Sequence, residues 1–268
     1  MGRVITGLFI VCGWVLLLFK GGHAMFNVVI FACGGVALHE FLRMSMREGQ
    51  ARYIPTVLAV GLLPLLGVSL AGGGGLVSGL FLAFFMLILL TIIVFPTLEN
   101  SMEFICHQWF GIFYIGFCGA HLILMRTLPD GIYWLLVLTG ITVCSDTAAY
   151  YVGRLLGKTK LYPALSPGKT RAGAIGGILG GTAGGVAVTA VMFHSPNLVL
   201  VGLLCLILSI IGIIGDLIES LIKRISGVKD SGHILPGHGG FLDRCDSIIL
   251  TAPVLYYALY WGHAALLN

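Results

Sequence analysis

A polar stretch between two apolar runs, residues 215–246, holds an unusual share of the charge in this sequence. It contains five of the eleven acidic residues, four of the fifteen basic residues and two of the eight histidines. Over the whole chain, charged residues make up 10% and hydrophobic residues 58%. Charge at the edge of hydrocarbon is costly and is therefore usually functional. We expect the chemistry of the protein in this stretch.

Carboxylates stand at both ends of the stretch. Asp216, Glu219 and Lys223 are spaced by three and seven residues, which places them on one face of a helix. Asp243 and Asp246 begin the next apolar segment. Because Mg²⁺ prefers carboxylate oxygens and shares its ligand shell with substrate phosphates, we predict a magnesium site at which Asp216 and Asp243 converge from two helices.

Simpler structural roles are open for several of these residues. Asp246 can cap the last helix, and Lys223 and Arg224 can anchor a helix end at the membrane surface. Gly239 and Gly240 can be turn residues. These roles do not together account for so many charges, glycines and prolines between two apolar runs.

Zinc is a weaker alternative to magnesium. His233 and His238 are five residues apart in a glycine-containing loop, and Cys245 lies beside the charge cluster. Zinc sites usually have histidine and cysteine ligands at close, regular spacing. The oxygen-rich composition of the stretch favours magnesium.

A second group of polar residues begins at Asp146. Asp146, Tyr150 and Arg154 lie on one helix face, and the polar loop that follows is basic. A carboxylate within a membrane normally faces a bundle interior or a polar cavity. The basic residues can be solvated cations or a phosphate clamp. With the carboxylates, they provide what phosphoryl or nucleotidyl transfer requires, namely positioning and neutralisation of charge.

The elements that position these residues are apolar helices. The mean hydropathy of +1.02 over 268 residues indicates an all-α, polytopic integral membrane protein. We predict one membrane-embedded catalytic domain over residues 1–268, with the site in 132–266 and no diagnostic motif in 1–125. The nine predicted spans are 4–19, 25–42, 54–70, 76–95, 108–125, 132–157, 173–193, 198–223 and 247–266.

The distribution of basic residues predicts the orientation of these spans. With the N-terminus in the cytoplasm, thirteen of the fifteen Lys and Arg residues fall on the cytoplasmic side. The longest connections, 96–107, 158–172 and 224–246, lie on the same side. We therefore expect a site that faces the cytoplasm from a bacterial-type inner (plasma) membrane, with the lipid bilayer and anionic ligands as partners and no nucleic acid.

Glycines recur at four-residue intervals in 173–193, in the row Gly173, Gly177, Gly181 and Gly185 and a second row at Gly176, Gly180 and Gly184. Such rows allow helices to pack closely. They are also compatible with a homodimer.

The motifs resemble those of the phosphatidate cytidylyltransferase (CDP-diacylglycerol synthase) family. The resemblance rests on Ser220-Leu-Ile-Lys-Arg224, Lys229-Asp230 and Leu235-Pro-Gly-His-Gly-Gly-Phe-Leu-Asp-Arg-Cys-Asp246. Upstream, Asp146-Thr-Ala-Ala-Tyr150, Gly153-Arg154, Gly157-Lys158 and Ser166-Pro-x-Lys-Thr170 also look like the family. One difference concerns Gly168 and Ala172, where the family usually has lysine and glutamate. The role of that glutamate cannot be transferred, and Arg171 is a candidate to complete the phosphate clamp.

The resemblance implies that CTP and phosphatidic acid react to give CDP-diacylglycerol and pyrophosphate, in phospholipid biosynthesis, with Mg²⁺ and room for a second cation. The implied catalytic residues are Asp216, Asp243, Lys223 and Arg244. The implied metal ligands are Asp216, Asp243 and Asp246. The implied substrate-binding residues are Asp146, Lys169, Arg171, Ser220, Arg224, Lys229, His238, Gly239 and Gly240.

Two alternatives to this activity are open. CTP-dependent polyprenol and phytol kinases share some features of this polytopic membrane architecture. The complete signature around Asp243 favours the cytidylyltransferase. A transporter would have internal repeats and polar groups at mid-membrane in both halves, whereas the charges here lie at the predicted cytoplasmic edge.

Overall fold

The computed structural model describes residues 2–47, 49–232, 234 and 239–267, with side chains described from residue 11 onward. The chain is predominantly helical, and its described strands form one two-stranded antiparallel sheet. The helices are α1 (Gly2–Lys20), α2 (His23–Ser45), α3 (Ile54–Gly61), α4 (Leu63–Val94), α5 (Ser101–Gly111), α6 (Cys118–Thr127), α7 (Gly131–Leu156), α8 (Arg171–Met192), α9 (Leu198–Ile225) and α10 (Leu242–Leu267). The strands are β1 (Lys160–Tyr162) and β2 (Ser166–Thr170).

Six helical segments among the described residues are long and apolar enough to cross a membrane. These segments are His23–Ser45, Ala51–Thr97, Ser101–Thr127, Gly131–Leu156, Arg171–Met192 and Leu198–Ile225. They confirm the predicted all-α, polytopic membrane fold. The total of nine spans stays a prediction.

The segment Ala51–Thr97 contains the two predicted spans 54–70 and 76–95. Its backbone leaves the helical conformation at Ala71 and at Gly72, which has a φ of 59°. A side chain at Gly79 would meet the backbone of Leu63. Residues sixteen apart would be about 24 Å apart in one straight helix, so this contact requires a chain reversal. The reversal lies in the predicted connection, residues 71–75.

The membrane segment before α7 begins earlier than the predicted start at residue 108. α5 starts at Ser101, because the side chain of Asn100 accepts a hydrogen bond of 3.0 Å from the backbone N–H of Glu103 and caps the helix. A π-helix over Ile112–Phe117 connects α5 to α6. Much of the predicted loop 96–107 is therefore helical.

The chain divides into two compact units. Unit 1 comprises Met1–Leu124 and Ser226–Arg244, and unit 2 comprises Met125–Ile225 and Cys245–Asn268. The division describes packing, and the single catalytic domain stays a prediction. α10 begins in unit 1 and lies for the most part in unit 2.

Unit 1 has an apolar core in which bulky side chains fit against glycines. Phe26, Leu38 and Phe104 are at most 2% exposed. Gly61 lies against Leu38, and Gly111 lies against the ring of Phe41. These contacts bring α2, α3 and α5 together.

Unit 2 is built around the glycine rows of α8. A side chain at Gly176 would meet Val152 of α7, and one at Gly181 would meet Ser209 of α9. A side chain at Gly177 would be 3.2 Å from the hydroxyl of Ser145. The predicted close packing at these glycines is confirmed, and it places α8 between α7 and α9.

The polar connection between α7 and α8 folds into the hairpin of β1 and β2, which the apolar pattern did not predict. Lys160 pairs with Thr170 across the hairpin. The side chain of Thr170 then accepts a hydrogen bond of 3.0 Å from the backbone N–H of Gly173 and caps α8. The hairpin thus continues directly into a membrane helix, and this fixes the position of Lys169 just before the cap.

Candidate functional site

The C-terminal half of α9 carries the first part of the candidate site, in unit 2. Asp216, Glu219 and Lys223 lie on one face, as the helical spacing predicts. The Lys223 Nζ is 2.6 Å from a carboxylate oxygen of Glu219. Glu219 is only 1% exposed. A carboxylate at such burial needs a cation or hydrogen-bond donors to offset the loss of water.

Three carboxylates of unit 2 form one cluster. Ligand atoms of Asp216, Glu219 and Asp246 all lie within 4.8 Å of one another. The cluster depends on a close approach of α9 to α10, because a side chain at Gly215 would be 2.8 Å from the backbone oxygen of Asp246. The sequence predicted Asp216 and Asp246 as ligands but did not identify Glu219 as a third.

Burial and the neighbouring carboxylate of Asp216 raise the pKa of Asp246 to about 8. Asp246 precedes the predicted last span and lies outside the six segments that can cross the membrane. Burial disfavours the charged form of a carboxylate, and a second carboxylate beside it adds repulsion. A cation bound between the carboxylates would offset both effects.

Lys169 of β2 reaches the same cluster. Its Nζ is 2.6 Å from a carboxylate oxygen of Asp216, and its side chain is 24% exposed. The two sides of this ion pair come from different elements, the hairpin and α9. The segment that follows α7 therefore supplies a cation to a carboxylate of α9. The phosphate clamp stays a prediction.

A cavity of about 350 Å³ adjoins these groups in unit 2. Asp146, Lys169 and Asp216 line it together with apolar residues such as Ile141 and Leu208. The volume is within the range of ligand pockets. Asp146 and Lys169 thus line the same cavity, and their substrate contacts stay predictions.

The other predicted basic residues differ in their surroundings. The Nε of Arg224 donates a hydrogen bond of 3.1 Å to the backbone oxygen of Leu165, in the turn of the hairpin. Arg154 donates one of 3.3 Å to the hydroxyl of Tyr150. Arg171 is exposed at the start of α8. Binding of substrate by Arg171 and Arg224 stays a prediction.

The loop before α10 contains the remaining predicted residues, in unit 1. The Oδ2 of Asp243 accepts hydrogen bonds from the backbone N–H groups of Gly240, at 2.9 Å, and Ser231, at 3.2 Å. Gly239 has a φ of 83°, a conformation that favours glycine. The carboxylate of Asp243 thus binds the loop backbone at two separate positions. Its role as a metal ligand stays a prediction.

Several other predictions for this region are left open. Lys229 and Arg244 are exposed. Ser220 is 8% exposed on α9. His238 and His233, which was considered for zinc, lie outside the described residues. Their roles in substrate or metal binding stay predictions.

One buried carboxylate of unit 1 was missed by the sequence analysis. Glu40 of α2 is 3% exposed, and its carboxylate accepts hydrogen bonds from the loop before α10. The available signal was an acidic residue inside the predicted apolar span 25–42. Its partners could not be identified, because they lie as many as 202 residues away along the chain.

Comparison with known sequences shows the family to which the chain belongs. The sequence profile described as the cytidylyltransferase family matches residues 1–261. The chain is 34% identical over 264 residues to a phosphatidate cytidylyltransferase of Bacillus subtilis (strain 168), with 96% of each chain covered. It is 32% identical over 255 residues to one of Staphylococcus haemolyticus (strain JCSC1435), with 94% of this chain and 96% of the relative covered. A phosphatidate cytidylyltransferase of Brucella suis biovar 1 (strain 1330) is 46% identical over 147 residues, or 54% of each chain.

Proposed function

Because the chain belongs to the cytidylyltransferase family, we propose that it is a phosphatidate cytidylyltransferase. It transfers CMP from CTP to phosphatidic acid and produces CDP-diacylglycerol and pyrophosphate. A phosphate oxygen of phosphatidic acid attacks the α-phosphorus of CTP, and a new P–O bond forms. The bond from the α-phosphorus to the oxygen that bridges it to the β-phosphorus breaks. The electron pair of this bond leaves with pyrophosphate.

The observation that carries this proposal is the cluster of Asp216, Glu219 and Asp246 beside Lys169. Carboxylates and a lysine are placed together where a cavity adjoins them. The nucleophile, a phosphate monoester, is already anionic near neutral pH, so the reaction does not need a strong general base. What it needs is the neutralisation and alignment of several phosphates.

The chain's own residues divide this task. Lys169 changes partner from Asp216 to a phosphate oxygen of the nucleotide. Lys223 and Arg244 contribute positive charge towards the leaving pyrophosphate. Further phosphate or head-group contacts come from the basic and polar residues of the connections. These residues are Arg171, Ser220, Arg224, Lys229 and His238, with the backbone N–H groups of Gly239 and Gly240. Asp146 orients the polar lining of the cavity.

The donor set of the cluster fits magnesium. Its three ligand residues all provide carboxylate oxygens, and none provides a nitrogen or sulfur atom. Asp216, Asp246 and Glu219 would hold Mg²⁺, and Asp243 is a further candidate ligand, with room for a second cation. When bound, Mg²⁺ neutralises the charge on the triphosphate and on the leaving pyrophosphate.

The proposal includes a location. The bacterial relatives support a bacterial-type inner membrane. The excess of basic residues on one side of the predicted topology supports an active site towards the cytoplasm. Phosphatidic acid would then reach the site from the bilayer while CTP enters from the cytoplasm. A homodimer stays a prediction, which the mass of the purified protein in detergent can check.

Labelled CTP tests the reaction. Purified protein in lipid nanodiscs receives phosphatidic acid, Mg²⁺ and CTP labelled at either the α- or the γ-phosphate. We expect the α-label in the lipid product and the γ-label in pyrophosphate. Lipid that carries only the γ-label would overturn the proposal in favour of a lipid kinase.

A metal-removal experiment tests the cation separately. Chelation with EDTA should abolish transfer of the α-label, and Mg²⁺ should restore it. Direct binding of Mn²⁺ in place of Mg²⁺, followed by its electron paramagnetic resonance signal, gives a readout that does not depend on activity. Retention of full activity after complete chelation would refute the metal assignment.

A further inference from the structure

The carboxylate of Glu40 lies at the N-terminus of α10, within unit 1. The backbone N–H of Phe241 donates a hydrogen bond of 3.0 Å to its Oε1, and that of Leu242 donates one of 2.8 Å to its Oε2. The first N–H groups of a helix have no partner inside the helix. Glu40 thus caps α10 from another helix, α2, and its negative charge suits the positive end of the helix dipole.

The same carboxylate also binds the beginning of the loop. The hydroxyl of Ser231 donates a hydrogen bond of 3.1 Å to the Oε2 of Glu40. Ser231 and Leu242 stand eleven residues apart, so one side chain joins a position within the loop to the start of α10. The described loop residues are therefore held against α2 by neutral donors.

Two glycines of the loop lie so close to this carboxylate that a side chain at either position would collide with it. A side chain at Gly232 would meet the Oε1 of Glu40. A side chain at Gly240 would be 2.7 Å from its Oε2 and would also meet the hydroxyl of Ser231. The absence of side chains at both positions lets the backbone at residues 232 and 240 pack against Glu40, independently of the hydrogen bonds.

The carboxylate of Asp243 lies one step further along the same network. It accepts the backbone N–H of Ser231 and of Gly240, and these two residues also surround Glu40. Glu40 and Asp243 thus share a short segment of backbone. Any change in the hydrogen bonds of Glu40 would move the backbone to which the Asp243 carboxylate is bound.

We propose that Glu40 is a positioning residue for the reaction: its buried carboxylate holds the loop before α10 and the first helical turn, which carries Asp243 and Arg244. It acts through the loop and the helix that it holds, and not as a ligand of substrate. Its effect on catalysis rests on the proposed function, since Asp243 and Arg244 are there assigned to the site. Its effect on the loop does not.

The test compares Glu40→Gln with Glu99→Gln in nanodiscs. Glutamine has the shape of glutamate, but one acceptor oxygen becomes an NH₂ group that faces an N–H donor. Glu99 is the matched control, because its side chain is 85% exposed and pairs only at the surface, with Arg47. The first readout is hydrogen exchange of the peptide that covers residues 239–247, and the second is the rate of CMP transfer.

In Glu40→Gln we expect the amides of Phe241 and Leu242 to exchange about tenfold faster or more, since a buried donor loses its acceptor. We expect kcat to fall by about tenfold or more, with little change in KM for CTP and in the thermal midpoint. In Glu99→Gln all of these quantities should match the parent protein. Glu40→Asp, which keeps the charge on a shorter side chain, should recover part of the exchange protection and of kcat.

Two results would overturn the proposal. Unchanged exchange at residues 241–242 would show that Glu40 does not hold the loop. Faster exchange throughout unit 1, with a lowered thermal midpoint and a loss of activity in proportion to the unfolded fraction, would show a role in folding alone. The exchange measurement needs no substrate, so its outcome is independent of whether the proposed reaction is correct.

Discussion

The carboxylates of the two units have different kinds of partner. In unit 2, Asp216 and Glu219 are paired with the ammonium groups of Lys169 and Lys223, each at 2.6 Å. In unit 1, Glu40 and Asp243 accept hydrogen bonds from backbone N–H groups and a hydroxyl. The residue types are the same, but the two environments favour different functions.

The difference is physical. A lysine side chain is long and flexible, so its ion pair with a carboxylate can open and both groups can turn to a substrate phosphate or a cation. A backbone N–H group is fixed by the chain, so a carboxylate bound to it fixes the chain in return. The ion pairs of Asp216 and Glu219 in unit 2 can thus exchange partners, whereas Glu40 and Asp243 in unit 1 shape a loop.

The largest effect should come from Asp216→Asn. The amide has nearly the same shape but removes the charge that faces Lys169 and the other two carboxylates. We expect CMP transfer to fall about 100-fold or more, because the reaction depends on charge neutralisation. The initial rate with α-labelled CTP measures this, and the thermal midpoint controls for folding. A rate close to that of the parent protein would contradict the assignment of this cluster to catalysis.

Asp243→Asn tests whether the charge of Asp243 contributes to catalysis in addition to its hydrogen bonds with the loop. Both backbone donors bind one oxygen, Oδ2, and an asparagine oxygen can accept the same two hydrogen bonds. We expect CMP transfer to fall about tenfold to 100-fold, with unchanged hydrogen exchange in the loop, if the charge itself acts on substrate or metal. Full activity would make Asp243 a purely structural residue and would sharpen the contrast between the units.

Gly215→Ala tests the spacing that forms the cluster in unit 2. The new methyl group would lie 2.8 Å from the backbone oxygen of Asp246 and would force α9 and α10 apart. We expect a loss of about tenfold in CMP transfer from the displacement of the carboxylates. Gly202→Ala on the same helix is the control, because its nearest neighbour would be 3.9 Å away. Equal activities of the two variants would contradict this account of the cluster.

The smallest effect should come from Arg47→Gln in unit 1. Arg47 pairs with Glu103 at 2.7 Å, but the arginine side chain is 52% exposed. An exposed ion pair contributes less than about 1 kcal/mol to the free energy of unfolding. Thermal unfolding in detergent and CMP transfer should both stay close to the parent values. A large loss of activity would show that the charge of Arg47, which lies outside the loop before α10, also has a function.

Several features of the site could be predicted because they depend on local sequence. Helical spacing placed Asp216, Glu219 and Lys223 on one face, and the structure confirms this arrangement. The row of glycines predicted close packing of α8, which is also confirmed. Both predictions need only the geometry of one helix.

Other features depend on distant parts of the chain and could not be predicted. The hairpin that carries Lys169 forms in a short polar segment with no alternating pattern. The close approach of Gly215 to Asp246 brings α10 to the carboxylates of α9, and nothing in either local sequence indicates this contact. Glu40 is separated from its partners by about 200 residues, so its hydrogen bonds exist only after the chain has folded.

The sequence by itself determined that this is a polytopic helical membrane protein of the cytidylyltransferase family, because hydrophobicity and a contiguous polar signature are properties of the chain. The tertiary structure decided which carboxylates lie together and what each one binds. The reason is that a carboxylate has the same charge wherever it occurs. Only its neighbours in space, a lysine in one unit and backbone N–H groups in the other, distinguish a group that can exchange partners from one that holds a loop.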